Sequence, residues 1–169
     1  DAQGVVSEIV AGGGTADCFQ YDVLNPAFSE SDISISGWTP THLYYFATPF
    51  IFSGVKDKFS PEIFRQFCDY YVIGFSAALE LLREFQIEKV FYPSSVAIDE
   101  LLKSMGEYAS AKLASELLCD FLEKCNPETI IYKSRLPRTE TDQTVSIIPV
   151  KSEDPVELMI RELRALQTK

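Results

Sequence analysis

The chain has 169 residues, with 15 Lys and Arg against 25 Asp and Glu for a formal charge of −10, and 46% of its side chains are hydrophobic. These values describe one soluble globular domain, long enough to bury roughly two thirds of its unfolded surface without a disulfide framework or a structural metal. The acidic balance, with no Lys/Arg cluster, excludes a phosphate-backbone binder, so nucleic acid is not an expected partner. Four cysteines without a Cys-x-x-Cys pair and the single histidine, His42, leave no zinc set; reduced, buried thiols point to the cytoplasm. No apolar run reaches the ~20 residues needed to span a bilayer, and the N-terminus lacks the order of a signal peptide.

In chain order, Val5, Val6, Ile9 and Val10 recur at the spacing of one helical face, and Gly12-Gly13-Gly14 caps that helix. Cys18 to Val23 reads as a short strand closed by Asn25-Pro26, followed by a Ser-rich surface connection over 27–40. His42 to Ala47 is an apolar, aromatic run bounded by Pro40 and Pro49, the pattern of a central strand covered on both faces. Ser60-Pro61-Glu62 opens a long, largely buried helix running to Leu82. A strand at 88–93, a helix at 107–124, a strand at 129–133 and an amphipathic helix from Asp154-Pro155 to Leu166 complete the order. Alternating strands and helices of this length indicate an α/β fold: a doubly wound parallel sheet with helices on both faces.

Ligands in open parallel sheets bind beyond the carboxyl ends of the strands. Those ends are Asp22, Ala47-Thr48-Pro49, Ser94-Ser95 and Arg135 to Thr139. Ser95 is followed thirteen residues later by Tyr108, and Tyr108 and Lys112 stand at i and i+4 of a helix, on one face. A tyrosine hydroxyl, with a pKa of about 10, exchanges protons at neutral pH only when nearby positive charge stabilises the phenolate, and a lysine one turn away supplies it. A serine hydroxyl would hold the substrate oxygen while the tyrosine gives or takes its proton. The plain alternative is a surface lysine beside a half-buried tyrosine.

With these residues the chain resembles the short-chain dehydrogenase/reductase family over residues 1 to about 145. Val90 to Ala97 looks like the strand that delivers the family serine, and Tyr108-Ala-Ser-Ala-Lys112 like its Tyr-x-x-x-Lys helix. His42 to Ala47 sits where the family's central strand ends in an Asn-Asn-Ala-Gly-like turn, here Phe46-Ala47-Thr48-Pro49. Asp22-Val23 resembles the Asp-Val that contacts the adenine ring, and Pro137, with Thr139 beyond it, occupies the place of the Pro-Gly near the nicotinamide. The resemblance implies an NAD- or NADP-dependent carbonyl/alcohol interconversion. Tyr108 would be the acid or base, Ser95 would orient the carbonyl, and Lys112 would bind the nicotinamide ribose and depress the tyrosine pKa. Asp22, Val23, Ala47, Thr48, Lys112, Pro137 and Thr139 would face the cofactor. Where the family often carries an asparagine for a water relay, this chain has Tyr71.

A dinucleotide fold opens with a strand, a glycine-rich turn and a helix that receives the pyrophosphate. The Gly triplet follows a helix and precedes a strand, the reverse order. The resemblance therefore implies a Rossmann-like domain lacking its first β-α-β unit, residues 1–169 forming the C-terminal two thirds of one NAD(P)-binding domain. In the doubly wound order the strand at 18–23 would be separated from that at 42–47 by two strands supplied by a missing N-terminal segment or by other domains of a larger polypeptide. The substrate would be a small or carrier-bound carbonyl, as in ketoreductase modules of large synthases, and the aromatic helix at 63–75 reads as core or, as the resemblance implies, as a homo-oligomer interface. His42 reads as structural, Trp38 as a surface cluster or a substrate entrance. Arg135 and Arg138 read as phosphate contacts or as ion pairs with Glu140 or Asp142. The alternatives are a catalytically inactive structural fragment of the same fold and a nucleotide-sugar epimerase, though only about 25 residues remain after Thr144 for the substrate domain of the latter.

Overall fold

A computed structural model of the chain describes residues 1–25, 37, 39–139 and 153–169. Pro26, Trp38, Glu140 and Asp142, which figure in the sequence reading, lie outside these residues. The first helix, α1 (Ala2–Ala11), is capped by the Asp1 carboxylate, which accepts from Gly4 N at 2.7 Å. It stops at the glycine triplet as expected: Gly14 N donates to Ile9 O at 2.9 Å and Gly13 takes φ +85°.

Three parallel strands form the sheet, β1 (His42–Tyr44), β2 (Lys89–Ser95) and β3 (Ile130–Leu136), in that order. Leu43 pairs with Val90, and Val90 with Ile131, while Ser95 pairs with Leu136. Side chains alternate across it. Val90, Tyr92 and Ile131 enter a core with Phe75, Ala78 and Cys119, whereas Tyr132 meets the last helix through a 2.9 Å bond from its hydroxyl to Glu162 Oε2. Helices therefore cover both faces, as the α/β reading requires.

The strand expected at Cys18–Val23 does not form. A strand needs a neighbour to take its backbone groups, and among the described residues β2 is the only strand beside β1. Asp22 instead closes a turn, its carboxylate accepting from Leu24 N at 2.9 Å, and Val23 packs against the core.

The long helix forms, but not uniformly. Its ends are α-helical, α2 (Pro61–Cys68) and α3 (Phe75–Leu81), and Asp69–Gly74 between them is a π-helix. Two tyrosine hydroxyls meet carbonyls of this segment. The Tyr45 hydroxyl donates to Tyr70 O at 2.6 Å, and the Tyr92 hydroxyl, which donates to Ser115 Oγ at 2.7 Å, also lies 3.2 Å from Tyr71 O. A short turn, α4 (Ala97–Glu100), follows β2, then α5 (Gly106–Cys125), with α6 (Pro155–Gln167) last.

Candidate functional site

At the carboxyl ends of the three strands lies a pocket of about 460 Å³, within the ordinary range for small-molecule sites. The structure brings Ala47, Thr48, Ser95, Tyr108, Lys112, Pro137 and Thr139 together in its wall. Asp22 and Val23 are not part of it. β2 and β3 run two and three residues further than the sequence pattern suggests, so Ser94, Ser95 and Arg135 are strand residues and Pro137 directly follows β3.

Alternation separates the two serines. Ser94 Oγ donates to Glu116 Oε1 at 2.5 Å, under the sheet, while Ser95 Oγ accepts from Ala97 N at 3.2 Å and lines the pocket with Tyr108. Burial pushes the Tyr108 hydroxyl up, and the Ser95 contact offsets part of that rise. The Lys112 ammonium stands 5.9 Å from the centroid of the Tyr108 ring.

Lys112 is 5% exposed, and desolvation brings its pKa down to about 7, opposed by the Glu116 carboxylate. Its Nζ donates to Pro93 O at 2.6 Å and lies 3.9 Å from the centroid of the Tyr71 ring. Tyr71 is itself bonded, hydroxyl to hydroxyl, to Thr48 at 2.6 Å. It packs with Phe67, Ala111 and Tyr108 in a second core cluster under the pocket.

Arg135 is no free phosphate contact. Its guanidinium grips Glu116 at both oxygens, 2.9 and 2.7 Å, and its third nitrogen reaches Asp99 at 2.5 Å. The pair with Arg135 holds the Glu116 carboxyl below the usual carboxylate range. Sequence reasoning missed Glu116, although its position four residues beyond Lys112 and eight beyond Tyr108 places it on their helix face. It also missed Glu107, buried at 1% exposure, whose Oε1 accepts from Ser60 N at 2.6 Å and whose Oε2 has no partner. Glu107 ties the segment before α2 to the first turn of α5. Arg138, at the pocket rim, lies 5.8 Å from the Phe52 ring. Among the described residues no three His, Cys, Asp or Glu side chains gather to hold a metal, no helix is long and apolar enough to cross a membrane, and all four cysteines are free.

No protein-family model matches the sequence, and no curated protein matches it. Solved structures do resemble the fold. An alcohol dehydrogenase from the archaeon Thermococcus sibiricus, complexed with 5-hydroxy-NADP, superposes with a TM-score of 0.82 at 17% identity, over 99% of this chain and 75% of its own. The short-chain dehydrogenase/reductase fold is the fold of this chain. A doubly substituted short-chain dehydrogenase/reductase from Serratia marcescens gives the same TM-score, 0.82, at 13% identity over 98% of this chain and 75% of its own. The alternative dihydrofolate reductase 1 of Brucella canis, complexed with NADP, gives 0.76 at 14% identity over 98% and 72%. Within the short-chain dehydrogenase/reductase fold, β1, β2 and β3 deliver their carboxyl ends to one pocket, and α5 carries Tyr108 and Lys112 beneath it.

Proposed function

We propose that this chain is the substrate-facing part of an NAD- or NADP-dependent oxidoreductase that interconverts a carbonyl and an alcohol. The observation carrying this reading is the convergence of Ser95, Tyr108 and Lys112 on one 460 Å³ pocket, from two elements and a sequence span of eighteen positions. The wall also fits one end of a nicotinamide cofactor: a buried cation in Lys112, hydroxyls in Thr48 and Thr139, and flat apolar surface from Ala47 and Pro137. Lys112 and Thr48 would hold the ribose end, and Pro137 would lie against the ring. When bound, the nicotinamide supplies or accepts the hydride.

This chain's residues handle the proton. Ser95 Oγ orients the carbonyl oxygen, and Tyr108 Oη donates the proton that converts it to a hydroxyl, or removes it in the reverse direction. Lys112 Nζ, 5.9 Å from the centroid of the Tyr108 ring, supplies positive charge that favours the phenolate. Among the described residues this wall accounts for the nicotinamide end of the cofactor and not for its pyrophosphate or adenine. Free cysteines favour a reducing, cytoplasmic setting.

The departures from the family pattern at Ala47-Thr48 and at Tyr71 favour a second reading, an inactive structural fragment of this fold. One experiment separates them. In the longest natural polypeptide containing this chain, NADPH and NADH binding is followed by fluorescence, and carbonyl reduction is compared with Tyr108→Phe. We expect cofactor binding by both proteins and a ~10²–10⁴-fold loss of turnover in the variant. Absence of cofactor binding and of carbonyl reduction in the unsubstituted protein would establish the structural reading.

A further inference from the structure

Three aromatic rings surround the Lys112 ammonium at 3.9 Å for Tyr71, 5.0 Å for Tyr92 and 5.9 Å for Tyr108, measured to the centroids. The nearest is the one whose place in the chain is unexpected. Tyr71 lies on the π-helical segment, is 1% exposed, and is pinned at both ends: the Tyr92 hydroxyl meets its carbonyl, and its hydroxyl is bonded to Thr48. Its ring face cannot easily turn away from the cation.

We propose that Tyr71 is a positioning residue for Lys112: its ring face, anchored by Thr48, carries the ammonium in the dry floor of the pocket. A cation in a desolvated site has lost its water, and the negative face of an aromatic ring within about 6 Å is one of the few uncharged groups that replaces part of that stabilisation. The remaining ligand is one carbonyl, Pro93 O. Few other groups bear on the charge. From α5 itself the Glu116 carboxylate favours it; the Cys119 thiol, Tyr92 on β2, Tyr108 on α5 and Tyr71 are all held neutral by burial. With the Glu116 carboxylate engaged by Arg135, the Pro93 carbonyl at 2.6 Å and the Tyr71 ring at 3.9 Å are the near contacts of the ammonium. An amide at this position would instead admit water and hydrate the ammonium. The inference deepens the oxidoreductase reading, because Lys112 is the group which that reading assigns to tune Tyr108.

The test is the titration of Lys112 by NMR of ¹³Cε-lysine in the longest natural polypeptide, with the resonance assigned through Lys112→Arg. In the unsubstituted protein the midpoint is expected near 7. Tyr71→Phe keeps the ring and leaves the midpoint close to that value. Tyr71→Leu keeps the site dry without the ring, and lowers the midpoint by about one pH unit or more. Tyr71→Asn raises it toward the ordinary lysine value. A purely structural role predicts the opposite for leucine, since loosening the floor hydrates Lys112 and raises its midpoint. If Tyr71→Leu does not fold, Tyr71→Met serves the same purpose. A midpoint in the Leu or Met variant at or above that of the unsubstituted protein overturns the proposal, as does a Phe variant that shifts as far as Leu. The titration needs neither cofactor nor substrate. A protein that shows this pattern yet reduces no carbonyl overturns the oxidoreductase reading and leaves the Tyr71 inference standing.

Discussion

Glu116 and Arg135 meet in a two-pronged ion pair, with Nε to Oε1 at 2.9 Å and Nη2 to Oε2 at 2.7 Å, that joins α5 to β3 at the edge of the pocket. The same carboxylate accepts from Ser94, and the same guanidinium reaches Asp99 on α4, so four segments around the candidate site share one knot of charge.

Replacing Glu116 by Gln is expected to destabilise the fold by on the order of 1 kcal/mol. Hydrogen bonds to charged groups contribute about 1.5–3 kcal/mol, and the half-exposed guanidinium discounts that figure. Because Arg135 lowers the folded-state pKa of Glu116, the stabilisation is complete above the unfolded carboxylate pKa of about 4.3 and is lost as pH falls through the lower folded value. Urea unfolding at pH 7 and pH 3 checks both points: the difference between the two proteins seen at pH 7 shrinks at pH 3.

Ser94 and Ser95, adjacent in sequence, are expected to behave as opposites. Ser94→Ala removes the bond to Glu116 and lowers stability by about 1–2 kcal/mol, with little change in turnover. Ser95→Ala takes from the pocket the hydroxyl that the proposed function assigns to the carbonyl oxygen, and is expected to lower turnover by ~10²–10³-fold at nearly unchanged stability. Paired denaturation and carbonyl-reduction assays on the two variants distinguish them.

What could be read from sequence was what depends on short spacing. Tyr108 and Lys112 share a face because a helix repeats every 3.6 residues, and Ser95 follows an apolar run that only a buried strand accommodates. What could not be read was made by partners distant in sequence. The carbonyls of the π-helical turn at Asp69–Gly74 meet the hydroxyls of Tyr45 and Tyr92, and Arg135 finds Glu116 across 19 positions rather than an acid in the following loop. Cys18–Val23 alternates like a strand, but alternation specifies a face and not the neighbour that makes it one.

Gly54 sits where a side chain does not fit. A Cβ there would stand 2.2 Å from the Ser104 carbonyl oxygen and 3.2 Å from Glu107 Oε2. The loop it belongs to is docked on the segment leading into α5 by Asp57 N to Lys103 O at 3.0 Å and by Ser60 N to Glu107 at 2.6 Å. Gly54→Ala therefore has to push this loop off the start of the helix that carries Tyr108. Overpacking of this kind costs about 1–3 kcal/mol, read as a lowered Tm together with a fall in turnover. An unchanged Tm would show that the loop is not held against Ser104.

Lys112 gives the fold a pH dependence of its own. The unfolded chain keeps this proton up to a pKa of about 10.4, whereas burial lets the folded chain release it near 7. Between those values the unfolded state binds more protons, so the contribution of Lys112 to stability rises with pH, by at most about 1.4 kcal/mol per pH unit. Below 7 both states carry the proton and the contribution is level. Cys119, whose thiol burial pushes up to about 12, acts in the opposite sense once unfolded thiols ionise above about pH 8.5. The window in which the lysine acts without that opposition is therefore pH 7 to 8.5. Unfolding free energies of the unsubstituted protein and of Lys112→Met, measured by urea at intervals across that window, are expected to diverge: the first rises with pH, and the second, having no proton to release there, stays level.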